Sequence, residues 1–277
     1  MTYKTILVHC DAGRAADARL SIAVELAARH QAHLVGLHAK PPFEPPIYGD
    51  ASYAIDRFYN DHEDAVKASE DASRALFEKT TKGTDLSIEW RSAKGYADQL
   101  LTLHARYADL TIVGQTDPDR EDLPPPPDLP ESVALATGRG TLVVPFIATP
   151  RMPMSKVMLC WNASREAARA ASDALPLLRA ATSVAVLSIE GSEEGDGSHP
   201  GADIAVWLGR HGITATVQRD MAPAADVGSV ILSRAMDHGS ELIVMGIYGH
   251  SRLRELVLGG ASRTILAGMT VPVFMAH

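Results

Sequence analysis

The chain has 277 residues, 46% of them hydrophobic but only 5% aromatic, and a formal net charge of −8. That length suits one large or two modest domains, and the composition favours α/β layers over an aromatic-rich β-sandwich. An acidic chain without a basic block is a poor candidate for general nucleic-acid binding; no apolar run approaches the roughly 20 residues of a membrane span, and Cys10 and Cys160 make no disulfide framework.

Taken in order, the chain moves straight into a strand at Ile6 to Cys10, with no secretory signal before it, so a reducing cytoplasm is the expected compartment. A helix over Ala15 to Arg29 carries Leu20, Val24 and Ala27 on one face, and Leu34 to His38 forms the next strand. Strand, helix and strand at this spacing imply a right-handed crossover in a parallel sheet. Residues 39 to 60 are proline-marked and read as a surface excursion or a lid. A charged helix from Asp61 to Thr81 follows, then a strand at Leu86 to Arg91, a helix at Tyr96 to Tyr107, and strands at Leu110 to Val113 and Leu142 to Phe146. After a proline-marked linker the pattern restarts. Strands are expected at Val157 to Trp161, Ser183 to Ile189, Ile213 to Arg219, Leu242 to Met245 and Val271 to Met275. Helices fall at Arg165 to Ala180, with a kink at Pro176, and at Ala225 to His238, and helical spacing returns from Ala261 to Leu266.

The restart has a register. An offset of 151 carries Asp11-Ala-Gly-Arg14 onto Asn162-Ala-Ser-Arg165, and an offset of 132 carries the strand ending at Gly114 onto the one ending at Gly246. Self-similarity on this scale points to two copies of one domain, expected at 1–148 and 154–277.

One stretch stands out for chemistry. The buried strand Leu242 to Met245 runs into Gly246 and Gly249; Gly259 and Gly260 then precede a helix beginning at Ala261-Ser262. Backbone without a Cβ can approach a ligand closely, and the first amides of a helix favour an anion. The arrangement makes a plausible phosphate cradle, although glycines at a strand end are also ordinary turn punctuation. His250 and Arg252 lie in the same loop and suit a phosphate or a surface role. The first copy has no counterpart, because the corresponding stretch holds five acidic residues from Asp117 to Asp128 and the four prolines Pro124 to Pro127, which repel phosphate and offer no N–H donors.

Gly246-x2-Gly249-x9-Gly259 resembles the nucleotide-binding signature of the universal stress protein family, in its bacterial two-domain form. Gly260 stands where that family carries Ser or Thr. The resemblance spans nearly the whole chain and is stronger over 156–277 than over 40–140. It implies two tandem doubly wound α/β domains, each a five-stranded parallel sheet of the adenine nucleotide alpha hydrolase-like type, paired through their last strands as an intrachain pseudo-dimer, with a homodimer also open. It implies ATP, with Mg²⁺, in the second domain: phosphates on the amides of Gly259, Gly260, Ala261 and Ser262, close approach at Gly246 and Gly249, Asn162 toward the sugar, and backbone near Ser188 and Ile189 toward the base. Asp11 and Gly114 mark the degenerate first site; by default Asp11 would be a helix N-cap. The implied role is a stress-response regulator that holds an adenine nucleotide and meets a protein partner, with neither nucleic acid nor membrane. A module without nucleotide and a weak nucleotide hydrolase are the rivals. No histidine spacing suggests a metal site, and no nucleophile with a paired base is evident.

Overall fold

A computed structural model describes residues 2–45, 55–117, 128–147, 152–190, 200–223, 226–247 and 260–277. The first half opens with β1 (Thr5–His9), whose last four residues are buried. Helix α1 (Ala16–His30) follows; Leu20, Ala23, Leu26 and Ala27 recur at helical spacing on its buried face, and Gln31 ends it in a left-handed turn at φ 50. Next come β2 (His33–Lys40), α2 (Ile55–Thr81), β3 (Ile88–Lys94), α3 (Ala97–Ala105), β4 (Leu110–Gly114), α4 (Leu129–Ala136) and β5 (Gly140–Val144). The second half runs β6 (Lys156–Cys160), α5 (Arg165–Asp173), α6 (Leu175–Ala180), β7 (Ser183–Glu190), α7 (Pro200–Arg210), β8 (Ala215–Met221), α8 (Val227–Asp237), β9 (Leu242–Gly246), α9 (Ala261–Gly268) and β10 (Val273–Ala276).

Four features differ from expectation. Helix α2 begins at Ile55 rather than Asp61, so the end of the 39–60 segment is helical; residues 46–54 lie outside the described residues. Helices α4 and α7 were not anticipated. In α4 a proline fills the first turn, where its missing N–H costs nothing, and α7 emerges from a Gly/Ser-rich run that carries no helical pattern. Pro176 breaks the helix outright instead of kinking it. Helix α5 stops at Asp173, and α6 restarts with the proline in its own first turn.

All ten strands form one sheet, in the order β3-β2-β1-β4-β5-β10-β9-β6-β7-β8. Each half is parallel within itself, and the two have the same order counted from their own first strands. The halves join as expected: β5 and β10 pair antiparallel, with Phe274 opposite Leu142 and Val273 opposite Val143. Helices α1, α2, α5, α6 and α7 cover one face, and α3, α4, α8 and α9 the other; each buried layer runs across both halves.

The join is packed as tightly as it is paired. A Cβ on Gly140 would collide with the Phe274 ring, and Phe274 is fully buried. Tyr3 Oη donates to the Asp173 carbonyl at 2.9 Å, and Arg169 Nη2 donates to the Gly138 carbonyl at 2.6 Å, both across the join. Phe274→Ala should therefore cost about 3–5 kcal/mol in urea unfolding and Gly140→Val about 1–3 kcal/mol. The two costs should not add when Gly140→Val is combined with Phe274→Ala, because the clash and the cavity share one space. Additivity in that double variant would show that the ring and the glycine act separately.

Candidate functional site

The central strand of each half is the point from which the chain departs in both directions. β1 pairs with β4 over Ile6↔Leu110, Leu7↔Thr111 and Val8↔Ile112, and β4 then continues to Gly114. β6 pairs with β9 over Val157↔Leu242, Met158↔Ile243 and Leu159↔Val244, and β9 continues to Gly246. At the carboxyl edge beyond these ladders lies the switch-point crevice where open α/β sheets receive ligands.

In the first half an arginine fills that crevice. Arg19, only 3% exposed, projects from α1; its Nε donates to the His9 carbonyl at 2.8 Å and its Nη2 to Asp11 Oδ1 at 2.7 Å. The guanidinium lies against Gly114, where any side chain would collide with it. Asp11 Oδ1 also accepts the Gly13 amide at 2.9 Å, and His9 Nδ1 stands 3.7 Å from Asp11 Oδ2. Asp11 is thus not the N-cap of α1. Ala15 holds that position without a side-chain cap, and the carboxylate is instead the counter-ion of a buried arginine. Nearer solvent, Arg14 pairs with Asp117 at 2.8 Å and rests over the Phe146 ring.

The second half is built differently at the same place. The offset of 151 that carries Asp11 to Asn162 carries Arg19 to Ala170, so no guanidinium reaches in from α5. Asn162 is exposed; its Oδ1 accepts the Ser164 amide at 3.2 Å, and Ala163 between them takes a left-handed φ of 58. Ser164 caps α5 by accepting the Ala167 amide at 3.1 Å. The first turn of α5 then lies directly on β9. A Cβ on Gly246 would stand 2.6 Å from the Ala167 nitrogen and from the Glu166 carbonyl carbon, so helix–strand contact alone already requires this glycine.

Glu166 in that turn has a side chain only 5% exposed, and it accepts from the largely exposed Arg165 guanidinium. Burial would raise its carboxyl, but the Arg165 contact and nearby backbone and Ser164 donors outweigh it and hold the group below its usual value. Trp161, just before Asn162, has its indole N–H sealed from solvent without an acceptor.

Of the residues expected around the phosphates, Gly260 is the N-cap of α9 with Ala261 in its first turn, both half-buried, and Ser262 is buried. Gly249, His250, Arg252 and Gly259 lie outside the described residues. Asn162, Ile189 at the end of β7, Gly246 and the start of α9 all fall at the carboxyl edge of the second half. Helix α9 is held at both ends. Gly228 of α8 lets the two helices touch, since a Cβ there would stand 2.9 Å from the Ala261 carbonyl, and Gln115 Nε2 donates to the Leu266 carbonyl at 2.7 Å from the other half. Among the described residues no group of three or more His, Cys, Asp or Glu side chains could hold a metal ion.

Residues 2–123 match the model of the Universal stress protein family. That first half is a domain of the family. The matched segment is the half whose resemblance was expected to be the weaker, and it lacks the glycine signature. Among solved structures, the universal stress protein from Archaeoglobus fulgidus DSM 4304 aligns over 98% of this chain and 95% of its own, at 14% identity and a TM-score of 0.71. The functionally unknown protein PA1789 from Pseudomonas aeruginosa PAO1 aligns over 99% and 92%, at 14% identity and a TM-score of 0.62. These likenesses establish the fold along both halves of the chain. No curated protein matches the chain.

Sequence reasoning missed Arg19, Glu166, Trp161 and Gln115. Arg19 left a signal, a charge on the apolar stripe of α1 between Ala16 and Ala23, a position Ala170 holds in the other copy. Because the ion pair is buried, Arg19→Met should cost about 3–5 kcal/mol by stranding Asp11, and Arg19→Met with Asp11→Asn should recover much of it. Thermal unfolding of the single and double variants measures the recovery, and equal losses in both would dismiss the pairing as a stability element.

Proposed function

We propose that this chain holds an adenine nucleotide, ATP with Mg²⁺, in its second half, at the start of α9 beside Asn162. It acts as a cytoplasmic stress-response regulator and not as an efficient enzyme, with domains at 1–148 and 154–277. The observation that supports this reading is the unequal treatment of one crevice. The first half fills its crevice with Arg19 and Asp11, whereas the second half has Ala170 and an exposed Asn162 at the matching positions. The glycine signature from Gly246 to Gly259 belongs to that same second half. In this reading the amides of Gly260, Ala261 and Ser262 meet the phosphates, since a helix start favours an anion. Asn162 meets the sugar without adding a negative charge, and Ile189 offers backbone to the base. Arg165, exposed and paired with Glu166, is the cation nearest in sequence to Asn162.

Among the described residues no helix is long and apolar enough to cross a membrane. The test starts from a preparation stripped of nucleotide. At a hundredfold excess of MgATP over its dissociation constant the melting temperature should rise by roughly 5–10 °C, which corresponds to about 2.7 kcal/mol of linkage. Gly260→Asp separates binding from folding. Aspartate is a better N-cap than glycine by a few tenths of a kcal/mol, so the unliganded protein should melt at or slightly above the wild-type temperature, while a carboxylate in the phosphate seat removes the nucleotide-dependent rise. No rise in the wild-type protein would favour an interaction module without nucleotide.

A further inference from the structure

His38 lies at the end of β2 on the face covered by α2, and it is 3% exposed. Its Nδ1 is 2.9 Å from the Cys10 carbonyl oxygen. A carbonyl only accepts, so Nδ1 carries the ring hydrogen and Nε2 presents a bare lone pair. That Nε2 is sealed from solvent and has no partner. Ser92, opposite His38 in the β2–β3 register, has its hydroxyl sealed from solvent beside the Glu70 carboxylate of α2, whose ionised form it favours. The Trp90 ring stacks on the imidazole, with centroids 6.2 Å apart and planes 16° from parallel.

The charged groups facing His38 come from three elements. Glu70 projects from α2 and is held at 3.2 Å by Lys40 of β2; Asp11 stands at the end of β1, already committed to Arg19. Cys10, also beside it, stays neutral, because burial pushes its thiol up to about 12. The helix over this site is lightly anchored. Of the 27 residues of α2, only Val66, Ser73, Phe77 and Thr81 are buried.

We propose that the first half senses protons: the lone pair of His38 Nε2 is the receiving atom, and its protonation loosens α2 from the β2–β3 face. Protonated, the ring needs an acceptor for a new N–H in a place without water. Both carboxylates facing it are already engaged, Glu70 of α2 with Lys40 and Asp11 with Arg19, so a buried imidazolium stays poorly compensated. Lifting α2 hydrates the imidazolium and restores Glu70 to solvent. Among the described residues the second half has no histidine at the matching position. Trp161 donates its amide to Leu187 as Cys10 donates to Leu37, which puts Ser188 where His38 stands.

The sign follows from linkage. Burial lowers the His38 pKa from the ordinary 6.5, partly offset by Cys10, Glu70 and Asp11. The closed state therefore binds fewer protons than the open one. Its advantage is whole above 6.5, falls as the pH drops below that value, and levels off once the closed state itself takes the proton. His30 and His104 are also lowered by burial, so global melting does not isolate the effect and a local readout is needed.

Hydrogen exchange of α2 peptides between about pH 7.5 and 5, corrected for intrinsic rates, provides that readout. Opening of α2 should rise by up to tenfold per pH unit, the limit for one proton, while β6 and β9 peptides hold steady. His38→Asn keeps a donor for the Cys10 carbonyl but has no titrating nitrogen, and it should abolish the dependence. Nitrogen NMR of the wild-type protein tests the same claim without a variant: His38 should show the Nδ1–H tautomer and titrate below 6.5. An unchanged pH dependence in His38→Asn, or titration of His38 at or above the ordinary value, overturns the proposal.

Discussion

The constraint on which the molecule rests is the edge of a sheet. A five-stranded parallel sheet leaves unpaired amides and carbonyls on its last strand, a template for pairing with any other chain. Here β5 and β10 complete each other antiparallel, so both inner edges vanish and one ten-stranded sheet results. The two buried layers cross that seam, and Gly140 yields its side chain to make room for Phe274. The outer edges are left to β3 and β8, whose residues are intermediate or exposed along their length. The halves accordingly share a core, and a change at the seam is felt on both sides.

Two halves with the same strand order present two switch-point crevices, and they are built differently. In the first half the crevice has become part of the interior. Arg19 and Asp11 neutralise each other there, and the guanidinium occupies the space beside Gly114. A buried ion pair of this kind adds little net stability over an apolar filling, but it is costly to break, which fixes the geometry around His9 and Asp11. In the second half the tolerance runs the other way. Ala170 leaves the helix face small, and α5 settles onto Gly246 until backbone meets backbone.

Much of this fold was legible because its signals are local. Short apolar runs marked the strands, the two offsets marked the duplication, and the pairing of the last strands followed from resemblance. The missing pieces share a physical reason. Helix α4 is short and begins beside a proline run, so its four buried residues never complete a periodic stripe. Helix α7 sits behind a Gly/Ser-rich segment. Gly246 was legible as a glycine that something approaches closely, but not that the approaching group includes the first turn of α5. Arg19, Gln115 and His38 depend on contacts between residues from about ten to more than a hundred and fifty positions apart, which no window along the chain contains.

Gln115 shows how the halves bear on each other. It follows Gly114 directly, so its backbone is fixed by the strand that Arg19 packs against, and its backbone amide donates to the Val144 carbonyl at 2.8 Å. Its side chain accepts the Phe146 amide through Oε1 and donates through Nε2 to the last turn of α9. The final carbonyls of a helix need such donors, and here one of them comes from the other half of the chain. At the matching position in the second half stands Ile247, which cannot return the contact. The support is one-directional: the half whose crevice is closed steadies the helix whose opposite end faces the crevice left without an arginine. The first half is therefore tied into the second, because a donor that follows its β4 satisfies a carbonyl in the last turn of α9.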